Sequence, residues 1–357
     1  MKLQATLACF IFLTAAWNLA LAAKEEDKAA EKELVTKYSV KIKSSKDSTD
    51  QDALFFYPPN AAPKTQGEPA PLLVTLHTWS STFTLCTKYI APAQARGWVM
   101  VAPNFRGPNS KPEACASELA IQDILDAVEY AKQHARVDVN RIYLLGGSGG
   151  GHMSLMMAGK APELWAAVSS WVPISDVKAW HAESLERKNN YAKMLESACG
   201  GPPNATTNAQ YEARSPLTFI AQAKDLPLDI NTGIHDGHTG SVPVSHSLRA
   251  FNTLAVAKNL KDKIISDEDI ASMVKNEKIP DTLAAQTEKD PERDRLVLFR
   301  RVAGSTRISV FEGGHAEDMY AGLAWLARQK KGQPADFTLA KDGSARKGTG
   351  ATQEVAK

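Results

Sequence analysis

Short apolar runs rich in Val, Ile and Leu alternate along the chain with longer segments whose apolar residues recur at i, i+3, i+4 and i+7. Residues 72–76, 98–102, 142–145, 166–172 and 226–234 read as strands, the run at 142–145 as one buried on both faces. Two strands at 38–43 and 53–57, joined by a polar turn, precede them, and a hairpin of 296–302 with 307–311 follows. The segment 116–135 carries Ile121, Ile124, Leu125 and Val128 on one stripe with Asp123, Asp126 and Glu129 outside, which predicts an amphipathic helix. Residues 245–257 and 316–329 read likewise, the latter with Met319, Leu323 and Leu326 on one face. Strands alternating with helices imply right-handed crossovers, hence a mostly parallel sheet covered by helices on both faces.

The breaks in this rhythm set the domain limits. Residues 1–22 read as a signal peptide, with Lys2 first, an apolar run over 7–21, and Ala20-Leu21-Ala22 as an A-x-A cleavage site. The run is barely long enough to span a bilayer and Asn18 interrupts it, so the expectation is export, periplasmic or secreted, with no stable membrane anchor after cleavage. Residues 23–70 read as a linker with edge strands, and 71–331 as the α/β domain. Within that domain 176–224 lacks a convincing strand and, with Trp180, Tyr191 and Leu195, predicts a helical cap. The strongly charged stretch 258–295 has helical pieces and no evident role, and 332–357, rich in Gly, Lys and Ala, reads as a disordered tail.

Composition narrows the partners. Hydrophobic residues make up 43%, enough for a sizeable core, and the formal net charge of +2 argues against nucleic acid. Cys9 leaves with the signal; Cys86, Cys115 and Cys199 permit at most one internal bridge, which the sequence does not choose. No Cys/His spacing suggests a metal site.

One stretch carries chemistry. Gly146-Gly147-Ser148-Gly149-Gly150 matches G-x-S-x-G between a strand and a helical segment, the context in which a sharp turn exposes a serine Oγ. No register of these glycines gives G-x-G-x-x-G, and no Gly-Lys-Ser/Thr follows, so a phosphate loop and a bound cofactor are not expected. The Gly149 N–H at the new helix start is placed to stabilise an oxyanion. A second N–H is needed from the loop after the early strand, and Trp79 in His77-Thr78-Trp79 occupies that place. A serine also needs a base and an acid to orient it, in the chain order Ser, acid, His. His315 follows the last strand on a Gly-Gly loop and fits the base. Asp236, after the strand 226–234, is the preferred acid; Asp176 is the alternative, though it suits a helix cap equally, and Glu312 is a more remote one. His235 and His238 flank Asp236 without a third obvious ligand, so a pocket or structural role is preferred to a metal. His77, Trp180, His181 and His238 are the pocket candidates, and His152 reads as a buried, hydrogen-bonded residue.

These motifs together resemble the catalytic domain of the prolyl oligopeptidase family: Gly-x-Ser148-x-Gly-Gly, Leu76-His77-x-Trp79, Pro173-x-x-Asp176, Asp236 followed by Val242-Pro243, and Gly313-Gly314-His315. The likeness runs from about Pro71 to Lys330 and implies an α/β-hydrolase fold and a serine hydrolase of peptidase ancestry. Two departures stand out. The family's Asp-x-x-Val register lands on Thr239, so Asp236 requires three inserted residues, and the β-propeller of the peptidase members does not precede residue 71. The resemblance leaves three functions open: a small-ester or carbohydrate esterase, slightly preferred; a serine peptidase on short peptides; and a non-catalytic binding protein on a hydrolase fold. The esterase preference rests on the missing propeller, on the better leaving group of an ester, and on Trp79, Trp171, Trp180 and His181 as a cap that suits a sugar ring. Arg106, Arg300 and Arg301 are the available anchors for a peptide terminus.

Overall fold

Ala70–Leu76 (β3) is buried at every position, the pattern of a strand covered on both faces. Val99–Pro103 (β4), Ala167–Trp171 (β6), Leu228–Gly233 (β7) and Thr306–Phe311 (β9) are buried throughout in the same way. With Ser39–Lys43 (β1), Asp50–Phe56 (β2), Val137–Gly147 (β5) and Val297–Ala303 (β8) they form one sheet in the order β1-β2-β4-β3-β5-β6-β7-β9-β8. The pairs from β4 through β9 are parallel; β2 on β4 and β8 on β9 are antiparallel and sit towards the two edges. The computed structural model describes residues 25–283 and 289–347. The signal-peptide reading of residues 1–22 lies outside them. Residues 25–38 form a helix (α1) in a first unit that ends at Ser39, and a second unit runs from Val40. No described helix is long and apolar enough to cross a membrane.

Helices are Ile90–Ala95 (α2), Glu118–His134 (α3), Gly149–Lys160 (α4), Val177–Glu186 (α5), Tyr191–Cys199 (α6), Asn208–Ala213 (α7), Ser245–Ala257 (α8), Asp267–Asn276 (α9) and Met319–Leu326 (α10). Side chains alternate across a strand, and the sheet uses both faces. Leu72, Val74, Leu144 and Val168 share one core with Ile124 and Val128 of α3, Met153 of α4 and Phe251 of α8. The opposite face meets α10, where Leu145, Ser169 and Trp171 close around Gly322. Caps explain why two helices start later than their apolar periodicity predicts. Ala116 has φ of 56°, so α3 starts only after Ser117, whose Oγ accepts the Ala120 N–H. Asp318 accepts the Ala321 N–H and sets the start of α10 at Met319.

Two regions, one read as a disordered tail and one left without a role, have defined places. In the segment 332–347, expected as part of a disordered tail, Phe337 stacks on Trp325 and Trp325 Nε1 donates to the Asp336 carbonyl at 2.9 Å. Arg346 reaches the Asp318 carboxylate at 2.8 Å. An aromatic stack and the ion pairs of Arg346 with Asp318 and Asp294 hold a stretch whose average composition is polar. The charged stretch 258–295 contains α9, and Asp290 near its end pairs with Arg300 of β8 at 2.6 Å. Cys86, Cys115 and Cys199 are buried free thiols.

Candidate active site

The turn between β5 and α4 holds Ser148 at φ 57° and ψ −120°, a left-handed conformation that a side-chain-bearing residue adopts only when the surroundings enforce it. Two backbone bonds enforce it here. The Ser148 N–H donates to the Trp171 carbonyl at 2.9 Å, and the Ser148 carbonyl accepts from His152 N–H at 2.8 Å. The side chain of Ser148 does not cap α4, and the residue is only partly buried. Its neighbour Gly149 begins α4 directly against the Trp79 backbone, where a β-carbon would overlap the Trp79 nitrogen. The two N–H groups assigned to an oxyanion therefore come from adjacent backbones, one of them at a helix N-terminus.

Asp236 and His315 meet across two loops at the carboxyl ends of β7 and β9. His315 Nδ1 donates to Asp236 Oδ2 at 2.7 Å. The carboxylate is buried, and its other oxygen accepts from Gly237 N–H at 2.9 Å and Val242 N–H at 3.1 Å. A carboxylate only accepts, so the imidazole carries its proton on Nδ1 and presents Nε2 as a base. His315 Nε2 is buried and has no hydrogen-bond partner. The Val242 contact accounts for the unusual spacing: residues 237–241 loop out, and the Val-Pro step then returns to the acid. Asp176, the alternative acid, caps α5 by accepting from the Lys178 and Ala179 N–H groups at 2.9 and 3.0 Å. Glu312 pairs with His235.

Sequence reasoning missed Gly240, which the loop excursion presses between the pair. A β-carbon on Gly240 would overlap both Asp236 Oδ1 and His315 Cβ. Gly240→Ala therefore displaces the acid from the base, and a misplacement near 1 Å costs about 10²-fold in turnover. Steady-state kinetics of the variant check this, with parental kcat as the contrary result.

Of the pocket residues read from the sequence, His77, Trp180 and His181 are buried in packing and His238 is exposed. His77 is fully buried, with both ring nitrogens at 2.9 Å from the Thr78 and Asn104 carbonyls and its ring stacked on Phe105. It ties the Trp79 loop to the loop after β4. Trp180 is 1% and His181 4% exposed. Trp180 donates to the Ser241 carbonyl and packs on Trp79, while His181 pairs with Glu196 across α5 and α6. They hold the cap together rather than line an opening. His238 is exposed, and its Nε2 donates to the Val274 carbonyl of α9 at 2.6 Å. Trp79 and Trp171 are also buried. His152 donates from Nε2 to the Arg214 carbonyl at 2.8 Å, and burial pushes its pKa down to about 4, as expected of a neutral core histidine. Among the described residues no cluster of His, Cys, Asp and Glu has the arrangement of a metal site.

Known proteins resemble parts of this chain. A family model described as the prolyl oligopeptidase family matches residues 86–269, a little over half of the chain. The match includes Ser148 and Asp236 and stops short of His315. The acylamino-acid-releasing enzyme of Sus scrofa is 25% identical over 234 residues, 60% of this chain and 30% of that protein. The uncharacterized peptidase YtmA of Bacillus subtilis (strain 168) is 26% identical over 155 residues, 43% of this chain and 56% of its own. The uncomplexed Pyrococcus horikoshii acylaminoacyl peptidase structure aligns with 62% of this chain and 35% of its own, at 21% identity and a TM-score of 0.47. The chain thus spans about a third to a half of the length of these relatives. On the family match, with a parallel sheet and a serine turn of the kind that family requires, the chain belongs to the prolyl oligopeptidase family and has its α/β-hydrolase fold.

Proposed function

We propose that the protein is a serine peptidase acting on short peptides through an acyl-enzyme on Ser148. The observation that carries this reading is the buried Asp236 carboxylate fixing the tautomer of His315 at the sheet edge where Ser148 is held. In the forward step His315 Nε2 takes the Ser148 proton as Oγ attacks the scissile carbonyl carbon. The resulting oxyanion is stabilised by the N–H groups of Gly149 and Trp79, and the imidazolium by Asp236. Collapse breaks the C–N bond, His315 returns the proton to the leaving amine, and water then repeats the sequence on the acyl-enzyme. The mechanism calls for no metal or cofactor.

Substrate class follows from what the structure leaves available. One support of the esterase preference was an aromatic cap, and its four side chains are packed inside the protein, so that support is removed. The peptide reading is supported by family membership and by relatives named as acylamino-acid-releasing enzymes and a peptidase. Arg106 is engaged by Asp47 and Asp123, Arg300 by Asp290, and Arg301 by the Lys263 and Ile264 carbonyls. With those anchors taken, a blocked or uncharged peptide end suits the site better than a free carboxylate. Profiling one purified preparation on N-acylated peptides, prolyl peptides, acetyl esters and acetylated saccharides tests this. The expected result is the highest kcat/KM on a peptide; an ester or saccharide exceeding every peptide overturns the peptidase reading and leaves the serine mechanism standing.

A further inference from the structure

The residue beside the acid sits between two carboxylates from different elements. His235 Nδ1 lies 2.7 Å from Glu277 Oε2 at the end of α9, and Nε2 lies 2.7 Å from Glu312 Oε1 at the end of β9. Glu312 begins the Glu-Gly-Gly-His loop that carries His315. The backbone makes the same link, with His235 N–H donating to the Gly313 carbonyl at 3.0 Å. A second feature points the same way. Glu277 occupies the left-handed position after α9, φ 53° and ψ 37°, which helices usually give to glycine. Its carboxylate reaches His235, and also lies 3.5 Å from His238 Nδ1.

The geometry points to His235 as a positioning residue whose imidazolium clamps the Asp236 loop to the His315 loop and to α9. This inference rests on the Ser148–His315–Asp236 reading, and it gives the charged stretch 258–295 a place in that machinery through Glu277. Only the charged ring has two N–H donors for two carboxylates. Once neutral, it serves one and turns a lone pair on the other, so either the histidine loop or α9 is released. The groups facing His235 are Glu277 from α9, Glu312 from β9 and, on its own loop, His238 and Asp236, the last engaged by His315. The two glutamates raise the pKa of His235 above its ordinary value. For a raised pKa the sign is fixed: the clamp is complete below the ordinary value and is lost as pH climbs through the raised one.

The test follows the rate of Ser148 labelling by a fluorophosphonate probe against pH, which needs no knowledge of the natural substrate. The parent rate is expected to rise as His315 becomes able to accept a proton. It then falls by about two- to fivefold, the range partly exposed ion pairs permit, as His235 deprotonates. In His235→Gln the clamp cannot charge, so the parent-to-variant ratio starts in that range at acidic to neutral pH and approaches one as pH rises. A ratio that is constant with pH, or one throughout, overturns the clamp. Glu277→Gly gives an independent reading and suits the backbone at that position. It leaves His235 a single carboxylate, Glu312, which the neutral ring still serves with its one N–H, so the alkaline fall is abolished; a fall like the parent's overturns the proposal. Absence of Ser148 labelling in the parent is a different failure, that of the triad itself.

Discussion

Ser148→Ala is expected to lower kcat by about 10⁶-fold while leaving the fold intact, the loss seen when a triad serine is removed from a working enzyme. The size follows from role rather than from contacts. In the proposed mechanism Oγ is the atom that bonds to substrate, whereas the turn is held by the Ser148 N–H and carbonyl, both kept in the alanine variant. The side chain caps nothing in α4, so its removal leaves no buried partner unsatisfied. Ser148→Gly is expected to be equally inactive and more stable than the parent, because glycine adopts φ 57° without steric cost. Kinetics beside thermal denaturation check both statements. Retained turnover in the alanine variant excludes Ser148 as nucleophile.

Asp236→Asn is expected to cost about 10⁴-fold in kcat, as in triads where the acid becomes an amide. The surrounding bonds say why an isosteric change does so much. One carboxylate oxygen accepts from Gly237 and Val242 N–H, so the amide must keep its oxygen there and turn its NH₂ towards His315. An NH₂ donating to Nδ1 moves the imidazole proton to Nε2, the nitrogen that must take the proton from serine. Geometry survives and the base is lost. Asp176→Asn is the control: asparagine caps α5 as well as aspartate does, and activity stays near parental. The opposite pattern in the two variants exchanges the assignment.

How much of this was legible in the sequence depends on how local each cause is. The strands announce themselves where a strand buried on both faces draws on a near-continuous apolar run, as in β3, β4 and the 142–145 part of β5; β6 and β7 are buried too, though Ser169, Ser170, Asp229 and Asn231 interrupt their runs. The elbow is legible because its strain and its glycines lie within five residues. His315 and Asp236 are legible through chain order and strand ends. Their contact is not, since it depends on a loop excursion that brings Val242 back to the acid and wedges Gly240 between acid and base. Trp180 and His181 were misread because a cap helix has two faces, and the sequence does not say which one turns inward. His235 was singled out without its partners, which lie 42 and 77 positions away. The segment 332–347 was misread because composition averages over the one aromatic that anchors it.

In the proposed mechanism Ser148 is the nucleophile of a serine hydrolase, activated by His315. The most direct test is mass analysis of the protein after incubation with a fluorophosphonate, followed by proteolysis to locate the adduct. One adduct per chain is expected, on the peptide containing Ser148, and none in a His315→Ala variant over the same time. An adduct on another residue, or an unmodified chain under conditions that label a control hydrolase fully, contradicts it.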